Sequence, residues 1–282
     1  MTDKSLNIHK HPPYQNLYIY YIEGHLNPDG AVSGKDFIGN WEEDEFTFLF
    51  FSEPVHKKVE KILSAQPGLR LIDKFFMTYN EWQGGALVPF KIGRFFITPP
   101  WFKPDASLGK FDILLDPGVV FGNGAHTTTH ACVRALELIC SKNKIETVLD
   151  LGTGTGLLAL AAAKLGCKKI IAVDFNFLAA KTAENNIRLN HCNDSILALR
   201  GRAEDFIGSE ADLLIANIHY DVMKNLITSN GFLEKKHFVL SGLLRSQARD
   251  VEHVLTQLPV KIIKKWEQDG IWHTFAGQSN KN

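Results

Sequence analysis

Cysteine is scarce in this chain of 282 residues. The four present, Cys132, Cys140, Cys167 and Cys192, include no C-x-x-C pair. This argues against a disulfide scaffold and fits free thiols in a reducing compartment. His126 and His130 stand four apart with Cys132 close by, but no second ligand pair with metal spacing follows, so no metal site is expected. Excess charge is lacking too. Lys plus Arg and Asp plus Glu each number 31, so neither a polyelectrolyte partner nor direct nucleic acid binding is expected. No apolar run approaches the length of a membrane span; the dense run from Leu157 ends at Ala163. The opening residues, MTDKSLNIHKHPPY, have no apolar core of a secretory signal. Internal repeats and low-complexity tracts are absent. A cytoplasmic protein is the expectation.

What is present is ordinary in bulk and specific in one place. Hydrophobic residues at 45% and charged residues at 22% suit a globular chain of one large or two modest domains. The specific place is TVLDLGTGTGLLALAAAKLGCKKIIAVD, residues 147 to 174. An apolar strand, Thr147 to Leu151, is followed by Gly152, Gly154 and Gly156. A helix follows from Leu157 to Leu165, in which every residue except Lys164 is Leu or Ala. A second strand, Lys169 to Val173, ends at Asp174. Strand, glycine turn, helix and strand make a right-handed parallel crossover. Glycines at the first turn let backbone approach a ligand, and an acid at the tip of the second strand can take ribose hydroxyls.

The spacing is G-x-G-x-G, not the G-x-G-x-x-G of dinucleotide folds, and Asp150 precedes it. An acid beside the turn repels phosphate and suits a cationic ligand. S-adenosylmethionine has an ammonium, a sulfonium and a ribose, and no phosphate. A plain glycine turn in another α/β protein and a nicotinamide site remain as alternatives.

Ahead of this unit, Leu17 to Glu23, Glu45 to Ser52 and Leu69 to Tyr79 read as strands, with a helix opened by Pro54 and running to Ala65. Asn27-Pro-Asp-Gly30 is a turn signal. The pattern strand–strand–helix–strand predicts a small α+β domain over residues 1–80. Residues 81–110, with Trp82, Phe90, Phe95, Phe96, Trp101 and Phe102, read as an extended aromatic linker to a catalytic domain over 111–282. In DPGVVFGNGAHTTTH, Asp116-Pro-Gly118 and Gly122-Asn-Gly124 are tight turns, and the threonines from Thr127 are expected to cap a helix running to Cys140. Later come a helix from Asn176 to Asn190, strands Ser195 to Arg200, Asp212 to Ile218 and Phe238 to Leu243, and a helix from Ser246 to Gln257. A hairpin turns at Gln268-Asp-Gly270.

VLDLGTGTG resembles motif I of the class I S-adenosylmethionine-dependent methyltransferases. The stretch DPGVVFGNGAHTTTHACV narrows this. It resembles the signature of the PrmA family, the methyltransferases of large-subunit ribosomal protein L-eleven, matching at Asp116, Pro117, Gly118, Phe121, Gly122, Gly124, His126, Thr128 and Thr129. ANIHYDVM and SGLLRSQ are similar to further segments of that family. The resemblance covers residues 111 to 276 well and the N-terminal region only loosely. It implies a Rossmann-like, mostly parallel sheet closed by an antiparallel hairpin, with a small α+β domain that selects the protein substrate.

It also implies S-adenosylmethionine as cofactor, with Thr129, Gly152, Gly154, Gly156, Asp174 and Asn217 binding it. Ala203 and Glu204 are expected near the adenine. Asn217 is the expected catalytic residue, bridging donor and an amine acceptor on a ribosomal protein. Asn176 stands where the family usually has a second acid. Other readings are an acceptor that is a different protein lysine or a small amine, and a non-catalytic relative that only binds the cofactor.

Overall fold

The computed structural model describes residues 11–27, 32–102 and 109–280. Most of the expected turn at Asn27 to Gly30 and part of the 81–110 segment lie outside them. The chain divides into two compact units, one of residues 7–87 with 176–178 and one holding the rest.

The smaller unit contains β1 (Asn16–Glu23), β2 (Phe37–Glu43), β3 (Phe46–Phe51), α1 (His56–Ala65), β4 (Arg70–Thr78) and α2 (Tyr79–Trp82). Its antiparallel sheet runs β2-β3-β1-β4. Val59 of α1 packs on Tyr20, Ile22, Leu49 and Phe51, which alternate onto one face of β1 and β3. The Tyr20 hydroxyl accepts from the Val55 amide at 3.1 Å and bonds His56 Nδ1 at 3.0 Å, fixing where α1 begins. The sequence reading missed β2. FIGNWEE has a glycine and three polar residues among seven, so its pattern is weak; pairing with β3 from Phe37↔Phe51 to Glu43↔Phe46 makes it a strand.

The larger unit begins with β5 (Phe90–Ile92), β6 (Phe95–Thr98) and β7 (Asp112–Leu114), a three-stranded sheet. The stretch 81–110 is therefore not simply extended. The end of α2 and all of β5 and β6 lie within it, and Phe95 and Ile97 are buried in the core of the larger unit. Then follow α3 (Thr127–Lys142), β8 (Thr147–Leu151), α4 (Leu157–Lys164), β9 (Lys169–Asp174), α5 (Phe177–Leu189), β10 (Ile196–Arg200), α6 (Ala203–Phe206), β11 (Leu213–Asn217), α7 (Tyr220–Ile227), α8 (Asn230–Leu233), β12 (His237–Leu244), α9 (Arg245–Thr256), β13 (Val260–Gln268) and β14 (Trp272–Ser279).

The central sheet has seven strands in the order β10-β9-β8-β11-β12-β14-β13. The first five are parallel, and β14 runs antiparallel to both β12 and β13. This is the Rossmann-like α/β fold expected, with the hairpin closing it. Asp269 and Gly270 both have positive φ, 54° and 67°, as a tight hairpin with matching strand twist requires. The strand order reverses at β8, so the carboxyl ends of β8, β9 and β11 border the crevice where open α/β sheets take ligands.

Candidate active site

The turn after β8 is held by backbone bonds. The amides of Gly152 and Thr153 both donate to the Val173 carbonyl, at 2.8 and 3.0 Å, and Gly156 N donates to Thr153 O at 2.9 Å. Gly154 N donates to Asp174 Oδ2 at 2.9 Å, so the acid at the tip of β9 also pins the turn. Two glycines are required by neighbours as well as by conformation. Gly152 has φ 73°, and a Cβ there would lie 2.1 Å from Ile218 Cγ2. Gly154 has φ 56°, and a Cβ there would lie 2.7 Å from the Phe121 carbonyl oxygen. The first turn therefore closes on both the 121–124 loop and the end of β11.

Asp150 does not face a ligand directly. Its side chain is buried, and Oδ2 accepts from Thr153 Oγ1 at 2.6 Å, bracing the turn from beneath. Oδ1 has no hydrogen-bond partner among the described residues. Burial pushes its carboxyl up to about 7, the Thr153 bond opposes this, and the nearby Asp174 charge adds to it. A buried acid with an orphan oxygen under the turn favours positive charge above it and disfavours phosphate.

The 116–129 segment packs against the same turn. Thr155 Oγ1 donates to Gly122 O at 2.7 Å. Asn186 of α5, fully buried, donates through Nδ2 to the carbonyls of Asp116 and Thr155 and accepts from Asp116 N, each at 2.9 Å. Asn190, one turn on, clamps Leu114 through N–H and C=O alike. These two asparagines were not singled out from sequence. The available signal was their spacing of four on the apolar side of a helix, where a buried amide must find partners.

The threonines do not cap α3. His126 occupies the N-cap with φ −70° and ψ 138°, and its Nδ1 accepts from the Thr128 amide at 3.3 Å. Imidazole can accept a capping bond as a hydroxyl does, which the sequence reading did not consider. Its ring lies between Phe121 and Trp272, with centroids 5.5 and 5.1 Å away. Burial lowers its pKa, with Asp269 partly opposing. His130 instead stacks on Phe90.

At the end of β11, Asn217 is half-buried and its Nδ2 donates to Thr128 Oγ1 at 3.4 Å. Thr128 Oγ1 in turn bonds His126 Nδ1 at 2.7 Å. The Asn217 Oδ1 lies against Gly242 of β12, where a Cβ would come to 3.2 Å. His219, not Asn217, takes the N-cap position of α7, and its side chain is exposed. Thr129 is buried one residue beyond Thr128, its amide bonded to His126 O at 3.0 Å. Ala203 and Glu204, both half-buried, begin α6 beyond the tip of β10. Asn176 is buried and caps locally, accepting from Leu178 N at 2.9 Å. Glycine turn, Asp174, Thr128 and Asn217 thus converge at one edge of the sheet. Of these, Thr128 was not among the expected cofactor or catalytic residues.

Comparison with known proteins bears on the family and the fold. A family model described as "Ribosomal protein L11 methyltransferase (PrmA)" matches residues 78–280. A "Ribosomal protein L11 methyltransferase" of Staphylococcus epidermidis is 33% identical over 276 residues, covering 92% of this chain and 83% of that protein. One of Alkaliphilus oremlandii is 36% identical over 198 residues, covering 67% of this chain and 61% of that protein. Against several such relatives the chain spans about three-fifths of their length. The crystal structure of a ribosomal protein L11 methylase from Lactobacillus delbrueckii subsp. bulgaricus matches with a TM-score of 0.58 and 27% identity, over 68% of this chain and 99% of that one. The chain belongs to the PrmA family and is a methyltransferase with the class I fold that draws on S-adenosylmethionine.

Proposed function

We propose that the protein transfers methyl groups from S-adenosylmethionine to amino groups, lysine or N-terminal, of ribosomal protein L11. The observation that carries this reading is the convergence of Asn217, Thr128 and the Gly152–Gly156 turn at the carboxyl edge of the sheet. The names of the relatives supply the acceptor. The residues present suit the donor. Gly152, Gly154 and Gly156 with the buried Asp150 favour a cationic methionine portion without phosphate, Asp174 stands where ribose hydroxyls are taken, and Thr129 belongs to the adjoining helix turn.

S-adenosylmethionine supplies an already activated methyl, so the chain's task is alignment and exclusion of water. Asn217 Oδ1 accepts an N–H of the incoming amine and turns its lone pair toward the donor. Thr128 fixes the amide by its bond to Nδ2, and His126, held by two rings, fixes Thr128. A closed, half-apolar edge lowers the amine pKa and favours the neutral nucleophile. No side chain has to act as an obligatory base.

Residues 1–80 are proposed as the substrate-selecting domain. Edge strand β4 exposes Leu71, Ile72, Phe75 and Phe76, a surface suited to a protein partner. No helix among the described residues is long and apolar enough to cross a membrane. With a ribosomal acceptor the reading places the protein in the cytoplasm. The test is radiolabelled methyl transfer to purified ribosomal protein L11, beside free lysine and an unrelated lysine-rich protein. Label confined to the ribosomal protein is the expected result; equal labelling of free lysine would replace it with the small-amine reading.

A further inference from the structure

At the same edge of the sheet, α9 and the β13–β14 hairpin border a cavity of about 440 Å³ that the reaction above does not use. Arg245 and Arg249, one turn apart on α9, line both it and an adjoining hollow at its mouth. Neither guanidinium has an ion-pair or hydrogen-bond partner among the described residues, whereas Lys265 in the same cavity is already paired with Glu252. The mouth carries no acid in its lining. Asp269, the acid of the hairpin turn, adjoins Gly270 of the mouth and also acts electrostatically on His126. Glu267 lines the cavity and is exposed; with Lys265 and Glu252 paired to each other, the two arginines face this one carboxylate, so the balance is positive. Leu244 and Ile271 flank the arginines, 40% and 50% exposed. His273 of β14, half-buried and in register with Glu267 of β13, completes the lining.

The place is continuous with the acceptor side of the active site. Leu244 pairs with Trp272 across β12 and β14, and Trp272 packs edge-on against His126. A polypeptide presenting an amine at Asn217 has to run over one rim of this edge.

We propose that Arg245 and Arg249, with Leu244 and Ile271, form a docking patch in the catalytic unit for the acceptor polypeptide. It takes a segment that carries an acidic side chain beside an apolar one, next to the residue being methylated. This rests on the protein-acceptor reading. Guanidinium groups suit carboxylates because two parallel N–H bonds match two oxygens, and the exposed aliphatic pair supplies the apolar contact. Such rim charges act on encounter and acceptor affinity, not on the chemical step.

The test is methyl transfer to ribosomal protein L11 by the full chain and by its R245E/R249E variant, at saturating donor, with kcat and KM resolved. The acceptor KM is expected to rise roughly tenfold or more with kcat within about twofold, because steering and docking are lost and alignment is kept. S-adenosylhomocysteine affinity and the melting temperature should not change. The wild-type KM should also rise as salt is raised from about 50 to about 300 mM, and that of the variant much less. An unchanged acceptor KM in the variant, or a wild-type KM indifferent to salt, overturns the patch while leaving the methyltransferase reading intact. A KM rise accompanied by weakened S-adenosylhomocysteine binding overturns it as well, since the substitution then acts on the fold. No transfer by the wild type to ribosomal protein L11 removes the acceptor reading, and the patch falls with it.

Discussion

In the proposed site, the donor half and the acceptor half are built differently. On the donor side, Gly152, Thr153, Gly154 and Gly156 each use a backbone N–H, at 2.8 to 3.0 Å, within the turn or onto β9. On the acceptor side, Asn217 is held by one side-chain bond of 3.4 Å, and His219 beside it is exposed. Backbone bonds fix geometry at the level of the fold, whereas a side-chain amide can adjust to what arrives. On the proposed reading, rigidity is placed at the donor, which is constant, and latitude at the acceptor amine.

Substitutions can break this contrast in order of size. Gly152→Val is the largest, because its branched carbons would collide with Ile218 and because its φ of 73° is unfavourable to a β-branched residue. Loss of measurable S-adenosylhomocysteine binding, with destabilisation of about 3 kcal/mol or more, is expected in calorimetry and urea unfolding. Normal binding would mean that the donor half is not rigid. Asp174→Ala removes the bond that pins Gly154 and, on the proposed reading, the hydrogen bonds to the ribose, so donor affinity should fall by on the order of 2–4 kcal/mol in the same titration.

Asn217→Ala should reduce kcat about 10²-fold at saturating donor, a larger loss than any weakening of donor binding accounts for. Equal losses in binding and rate would erase the distinction between the halves. The smallest effect concerns Asp150. Its folded pKa of about 7 lies above its ordinary value of 3.8, so its stabilising contribution is complete below pH 3.8 and is lost as pH rises through 7. Between about pH 5 and 8 the wild type should lose about 2 kcal/mol of unfolding free energy from this group, and Asp150→Asn should lose much less, as measured by urea unfolding at each pH. A parallel pH dependence in both proteins would show that Asp150 is already ionised in the native turn.

Much of the larger unit was legible because its signals are local. The β8 strand was read at its observed bounds, Thr147–Leu151, since an apolar run before three spaced glycines has few other solutions. The hairpin at Gln268 to Gly270 was legible for the same reason. Asp174 was legible as the acid at the tip of the second strand, Asn217 by resemblance, and the fold brings both to the sheet edge. Three features were not legible because their cause is tertiary. β2 is a strand only through β3, His126 caps only where its ring is wedged between Phe121 and Trp272, and Asp150 turns inward onto Thr153. Gly242 likewise gave no local sign of its contact with Asn217.

The strand order of the central sheet has a kinetic consequence. β14 follows β13 in the chain, yet it lies between β12 and β13 and is the partner of both. Until β14 forms, β13 has no place to attach, and β12 presents an open edge whose residues Phe238, Val239 and Leu240 are buried in the finished sheet. During synthesis the elements ahead of it emerge first and can pair, but this edge stays unpaired until nearly the whole unit is available. Closing this edge is therefore a late, non-local step in completing the sheet.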